Sequence, residues 1–153
     1  MFQDFNAEVL DKITMSYINQ VEEKYNFDVL ENAAFLTGDW RDFGSKIEAK
    51  DFECASESTM EILAANKFDI IISADTIYNL NNYDSFYSVI KERLNNPGIC
   101  FICSKKFYFG VGGGTSQFID YVTQKGDFQV QVVKEYNDGM STIRQIIELK
   151  HQM

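Results

Sequence analysis

The stretch that most constrains the fold runs from Phe68 to Asn79, Phe-Asp-Ile-Ile-Ile-Ser-Ala-Asp-Thr-Ile-Tyr-Asn. Its first five residues form a short apolar run rich in β-branched side chains. Such a run reads as a strand buried on both faces inside a parallel sheet. It gives way to Ser73, Ala74 and Asp75, with the phenol of Tyr78 just beyond. In open α/β sheets ligands sit beyond the carboxyl ends of the strands. A strand that delivers an Asp-x-x-Tyr to that edge is the first place to expect chemistry.

The rest of the chain alternates around it. Residues 1–5 read as the end of a strand. Asn6 is placed to cap an amphipathic helix over 7–24, with Val9, Leu10, Ile13, Tyr17, Ile18 and Val21 at helical spacing. Residues 32–36 read as a short strand ending in Thr37-Gly38-Asp39-Trp40, and Met60, Ile62 and Leu63 suggest a short helix. Tyr83, Phe86, Tyr87, Ile90 and Leu94 make the apolar stripe of a further helix, broken by Asn95-Asn96-Pro97-Gly98. Residues 99–104 read as a second buried strand, and 105–114 as a long loop. Thr115 or Ser116 caps a helix with Phe118, Ile119 and Val122 inward, closed by Gly126. Runs at 128–136 and 141–150, joined by Asn137-Asp138-Gly139, read as a β-hairpin. The order β-α-β-(α)-β-α-β-α-β-β predicts one α/β domain over 1–153, a doubly wound, mostly parallel sheet with a C-terminal antiparallel hairpin at its edge.

Charge bears on partners. The net charge is −9, and residues 1–75 hold 16 acids against 6 bases, whereas 76–153 hold 7 against 8. An acidic chain does not bind phosphate backbones non-specifically, so nucleic acid is not an expected ligand. A basic protein partner suits it better, although a solvated acidic surface alone accounts for the composition. No apolar run approaches the length of a bilayer span, and the odd count of three cysteines argues against a disulfide framework.

Several residues stand out individually. Asp4, at a strand end, can hold a pair of ribose hydroxyls. Asp39 can accept from an amine, and Trp40 can stack on a planar ring, although a lone tryptophan is more often core. Gly110-Val111-Gly112-Gly113-Gly114 invites a phosphate-loop reading that fails in detail: no lysine follows, and the Gly-x-Gly-x-x-Gly register does not close. Flanked by Phe107, Tyr108 and Phe109, the loop reads as shaped for a substrate, or else as a flexible lid. Cys100 and Cys103 point to opposite faces of a strand and cannot share a metal. His151, the sole histidine, is expected to fray near the end of the chain. No metal site is expected.

Taken in order, these pieces resemble one family. Phe2-Gln3-Asp4-Phe5-Asn6 with Val9-Leu10 and Thr14, then Gly38-Asp39-Trp40, then Asp69 to Asn79, then Ser104-Lys105 with Tyr108-Phe109-Gly110-Val111-Gly112-Gly113-Gly114 are similar to the seven-β-strand, S-adenosylmethionine-dependent protein methyltransferases. Within that group the chain is most similar to the histidine protein methyltransferases. The Lys-x-x-Tyr-Phe-Gly-Val-Gly-Gly-Gly loop, from Lys105 to Gly114, is the most specific match. The resemblance implies the class I methyltransferase fold and S-adenosyl-L-methionine as cofactor. It implies that Gln3, Asp4 and Phe5 line the cofactor site, that Gly38, Asp39 and Trp40 hold the adenine, and that Ala74 contacts the methionine end. It implies that Asp75 and Tyr78 face the methyl acceptor, and that Lys105, Tyr108, Phe109, Gly110, Gly112, Gly113 and Gly114 form a substrate loop. The implied substrate is a histidine in a basic protein such as a ribosomal protein, and the implied enzyme is a monomer of the cytoplasm or nucleus. A lysine-directed enzyme of the same fold and a non-catalytic protein-binding relative are the alternatives.

One departure from the family lies at the front. The family's first strand and its Gly-rich turn would precede Met1, between the strand ending at Asp4 and the strand at 68–73. Without that strand its two neighbours lose a ladder partner, and each buried backbone group left unpaired costs about 1–3 kcal/mol. The chain is therefore expected to be a fragment of a longer enzyme, a non-catalytic relative, or a chain that receives this strand from another.

Overall fold

The structure is a computed structural model that describes residues 1–42 and 67–152. These fall into two compact units, one before position 43 and one from Lys67 onward. The short helix expected near Met60 lies outside the described residues.

In the first unit, β1 (Phe2–Asp4) pairs in parallel with β2 (Phe35–Thr37). Phe2 sits opposite Phe35 and their rings stack at 5.3 Å. Between the strands runs a helix that begins as a π-helical stretch, Val9–Thr14, and continues as α1 (Met15–Tyr25). Asn6 contributes its backbone carbonyl to the Val9 N–H, while Asp4 Oδ1 accepts the Asn6 N–H at 2.8 Å. Only part of the expected apolar stripe is inward. Leu10 and Ile18 are buried, and Ile13, Tyr17 and Val21 are exposed. Wider π turns change the phase of the residues that follow them, so a stripe drawn at 3.6 residues per turn does not stay on one face. The second strand starts later than expected because residues 30–32 form a 3-10 turn.

The second unit holds β3 (Phe68–Ala74), α2 (Tyr83–Arg93), β4 (Leu94–Lys105), α3 (Thr115–Lys125), β5 (Phe128–Tyr136) and β6 (Arg144–His151). Its sheet has the order β3-β4-β6-β5. β3 and β4 are parallel, and β6 runs antiparallel to both β4 and β5. β5 therefore has the same sense as β3 and β4, and β6 alone is reversed. The predicted antiparallel hairpin is present at the edge of the sheet, with its second strand, β6, next to β4 and its first, β5, outermost. The connection is longer than a tight turn, since β6 begins only at Arg144.

The core of this unit is built as the periodicity predicts. Phe86, Tyr87 and Ile90 of α2 and Phe118 and Val122 of α3 are buried with Cys100, Ile102, Ile147 and Leu149 of the strands. Tyr83 meets Phe118 edge-on at 5.0 Å, and Tyr87 meets Phe128 edge-on at 5.6 Å, favourable geometries for aromatic quadrupoles. Gly126 ends α3 in the left-handed region. Residues 95–98 do not break the chain into a loop; they form the first part of β4.

Two expectations are corrected. β3 is not buried on both faces: Ile70 is 61% and Ile72 79% exposed. An apolar run announces a strand, but it cannot say whether both faces are covered. Among the described residues β3 is an edge strand, laddered only to β4. His151 is not frayed either. It lies in β6 opposite Phe128, its Nε2 is 3.1 Å from the Leu94 carbonyl, and its ring is 4.8 Å from that of Phe128.

Candidate functional site

The site in the second unit is built at the carboxyl end of β3. Ala74 pairs with Cys103, and the next N–H, that of Asp75, still donates to the Cys103 carbonyl at 2.9 Å. There the ladder stops. Asp75 takes φ +51, the left-handed region, which aspartate tolerates better than most side chains. Two residues later Ile77 is fully buried, an anchor that leaves Asp75 and Tyr78 exposed on either side of it. Ser73 and Thr76 hydroxyls, 2.6 Å apart, brace the turn. The Asp-x-x-Tyr spacing thus works as one buried pin between two outward functional groups.

The glycine loop packs against this turn. Gly114 N–H donates to the Ile77 carbonyl at 2.9 Å, and Gly112 forms an isolated antiparallel bridge with Asn79. A Cβ on Gly113 would fall inside the backbone of Ile77 and Tyr78, and one on Gly114 would fall inside that of Lys106. These two glycines are therefore required for close backbone approach. The loop is a clamp on the turn that carries Asp75 and Tyr78, and the lid reading fails for Gly112, Gly113 and Gly114. Tyr83, read from the sequence only as part of a core stripe, completes the clamp. Its hydroxyl lies 3.1 Å from both the N–H and the carbonyl of Gly114, and burial raises this phenol above the usual tyrosine range.

Tyr108, expected only as a loop residue, reaches the carboxylate itself: its hydroxyl donates to Asp75 Oδ1. Ser104 Oγ lies 2.9 Å from the same hydroxyl, Lys105 Nζ sits 5.3 Å over the ring, and the Tyr78 ring is 6.1 Å away. Burial, then the Asp75 hydrogen bond, raises the Tyr108 phenol, so it stays protonated at neutral pH. The outer rim is apolar: Leu80, Phe107, Phe109 and Val111 are exposed, Phe109 at 86%. Gly110 lies at the open tip, where a Cβ would meet nothing. Ser104 is 1% exposed and went unweighed in the sequence, although it shares the inward face of β4 with Cys100 and Ile102. A hydroxyl at the inward register of an apolar strand is the signal that marks it. Cys100 on the same face is inert, its thiol pushed up to about 12 by burial.

In the first unit, β1 and β2 bring together Gln3, Asp4, Gly38, Asp39 and Trp40. The Gln3 carboxamide donates to the Gly38 carbonyl at 3.0 Å and accepts from Trp40 Nε1 at 2.9 Å, so one side chain ties the two segments. Gly38 N–H donates to the Asp4 carbonyl at 3.3 Å, just past the ladder. Asp39 holds Arg41, accepting from its Nε at 3.0 Å, and this pairing keeps the Asp39 carboxyl at about 2. Phe5 is 69% exposed.

No protein-family model matches the chain. Among individual proteins, it is similar to the histidine protein methyltransferase 1 homolog of Dictyostelium discoideum, 29% identical over 152 residues. The homolog of that name in Bos taurus is 28% identical over 166 residues. These matches span 99% and 97% of this chain but 42% and 41% of the relatives, so the chain corresponds to about two fifths of their length. The crystal structure of TehB from Haemophilus influenzae shares the fold, with a TM-score of 0.50 at 12% identity over 98% of this chain and 49% of that one. The mixed α/β arrangement with a mainly parallel sheet, expected of a methyltransferase-like fold, is the one observed.

Proposed function

We propose that this chain carries the methyl-acceptor side of a protein-histidine methyltransferase that uses S-adenosylmethionine. The observation that carries the reading is Asp75. Its carboxylate stands exposed at a strand end, with Oδ1 held by Tyr108, within a rim of exposed aromatic and aliphatic side chains. The similarity to proteins named histidine protein methyltransferase 1, over nearly the whole chain, supports the same reading.

The residues of the first unit suit the cofactor. Asn6 engages one oxygen of Asp4, and among the described residues Oδ2 has no partner, which leaves it for a ribose hydroxyl pair. Gln3 sets Trp40 beside Gly38, an indole and a backbone edge able to flank adenine. Asp39 meets an adenine amine only in competition with Arg41, so its part in the pocket is to hold that arginine. Phe5, exposed beside Asp4, offers a further apolar surface. When bound, S-adenosylmethionine supplies the methyl group, its carbon–sulfur bond breaking as the new nitrogen–carbon bond forms and the electron pair returning to sulfur.

The protein's own task is to present the acceptor. A neutral imidazole has one bare nitrogen and one N–H, and with a free pKa near 6.5 it is mostly neutral at pH 7. Asp75 Oδ2 accepts the N–H, which selects the tautomer and aims the bare nitrogen. Tyr78 flanks the ring, and the apolar rim excludes water. Most of the rate then comes from orientation. The methylated ring carries a positive charge until its N–H proton leaves, and Asp75, already at that proton, stabilises the charge. A basic protein such as a ribosomal protein suits the acidic enzyme as substrate, and cytoplasm or nucleus as its site of action, with the enzyme as a monomer. Mass spectrometry of histidine- and lysine-containing basic peptides incubated with the protein and S-adenosylmethionine tests the assignment. One added methyl on histidine is the expected result. Transfer to lysine would replace the acceptor assignment, and transfer to neither would favour a non-catalytic binding role.

A further inference from the structure

The hydrogen bonds around Tyr108 have only one consistent direction. An ionised carboxylate has no proton to give, so the single phenolic hydrogen of Tyr108 goes to Asp75 Oδ1. The Ser104 Oγ contact at 2.9 Å must then run the other way, with Ser104 donating to the phenol oxygen. The Lys105 N–H points to the same oxygen at 3.4 Å. Ser104, at 1% exposure, can satisfy its hydroxyl hydrogen there without water.

The phenol that receives this bond is fixed from several sides. Tyr108 N–H donates to the Gly113 carbonyl at 2.9 Å, its own carbonyl accepts from Gly112 N–H at 3.0 Å, and Lys105 lies over the ring. Asp75, by contrast, stands on a left-handed residue with an exposed side chain. A side chain in that state keeps one orientation only if something holds it.

We propose that Tyr108, backed by Ser104, is the positioning residue of Asp75: it holds Oδ1 by donation and so turns Oδ2 outward to the N–H of the methyl acceptor. The role rests on Asp75 being the acceptor-facing carboxylate. A Tyr108 that merely lined the substrate loop would tolerate loss of its hydroxyl, because the ring and its backbone bonds would remain.

Two measurements on the protein test this. The first needs neither cofactor nor acceptor. With ring-labelled tyrosine, the NMR titration of Tyr108, assigned by its absence from Tyr108→Phe, should move down in Asp75→Ala, because the bond and the charge that raise it are gone. An unchanged midpoint would overturn the proposal. The second uses a histidine-containing basic peptide. Tyr108→Phe should lose about 10- to 100-fold in kcat, the scale of a misoriented reacting group, with peptide KM and cofactor affinity unchanged. Ser104→Ala should lose less in the same direction, and Tyr108→Phe should add nothing on top of Asp75→Ala. Full kcat in Tyr108→Phe, or a loss confined to KM, would overturn it. If the unaltered protein methylates no histidine peptide, the functional reading fails instead, and the titration alone decides whether Tyr108 holds Asp75.

Discussion

The candidate site gathers a few residues whose types were legible in the sequence and whose contacts were not. Asp75 and Tyr78 announce themselves because an apolar strand ending in Asp-x-x-Tyr leaves polar groups at a sheet edge. The partner of Asp75 is 33 residues away, and no local pattern encodes that bond. The glycines were legible as a need for space, but not for which space. Gly113 closes on the backbone of Ile77 and Tyr78, and a methyl group there has nowhere to go. Gly113→Ala is expected to cost about 1–3 kcal/mol of stability, the range for overpacking, and, on the proposed function, to lower methyl transfer by displacing the turn that carries Asp75. Gly110→Ala, where a Cβ meets nothing within 4 Å, is the control and should cost less, limited to strain at its positive φ. Denaturant midpoints of the two variants check this, and equal losses would mean that contact with the turn is not what Gly113 supplies. His151 teaches the converse: a residue near the end of the chain reads as frayed until a ladder partner claims it.

At the scale of elements, periodicity located α2, α3 and β3 well and missed what periodicity cannot carry. The exposed face of β3 depends on neighbours, not on its own sequence, and the π-helical start before α1 depends on hydrogen bonds that no side-chain pattern announces. The β5–β6 connection was legible as Asn-Asp-Gly but not in its length. Asp138 organises it, accepting the N–H groups of Met140 at 2.9 Å and Ser141 at 2.7 Å and also the Ser141 hydroxyl. The backbone bonds, then the hydroxyl, hold its carboxyl at about 2, well below the usual carboxylate range. A carboxyl depressed on folding stabilises the fold above its unfolded value of about 3.9 and loses that contribution as pH falls toward about 2. Denaturant unfolding from pH 6 to 2 should therefore show the difference between the protein and Asp138→Ala shrinking below about pH 4. A difference constant through that window would remove Asp138 as the connection's charged clasp.

At the scale of the molecule, the acidic excess is concentrated in the first half of the chain, while Lys105 lies over the ring of Tyr108, the partner of Asp75. Composition argued against non-specific binding to phosphate backbones and left a basic protein partner open; on the proposed function, the geometry around Asp75 is what gives an acceptor imidazole a definite place. The fold class was legible because alternation of strands and helices leaves few topologies. Which strand of the hairpin lies against β4 was not, since β5 and β6 pair with each other either way. The central claim, that Asp75 serves the acceptor and not the cofactor, is most directly tested by one paired measurement on Asp75→Ala: methyl transfer to a histidine peptide beside calorimetric affinity for S-adenosylmethionine. Transfer should fall by about 100-fold or more while cofactor affinity stays within about twofold, less than 1 kcal/mol. Loss of both in equal measure would contradict the account.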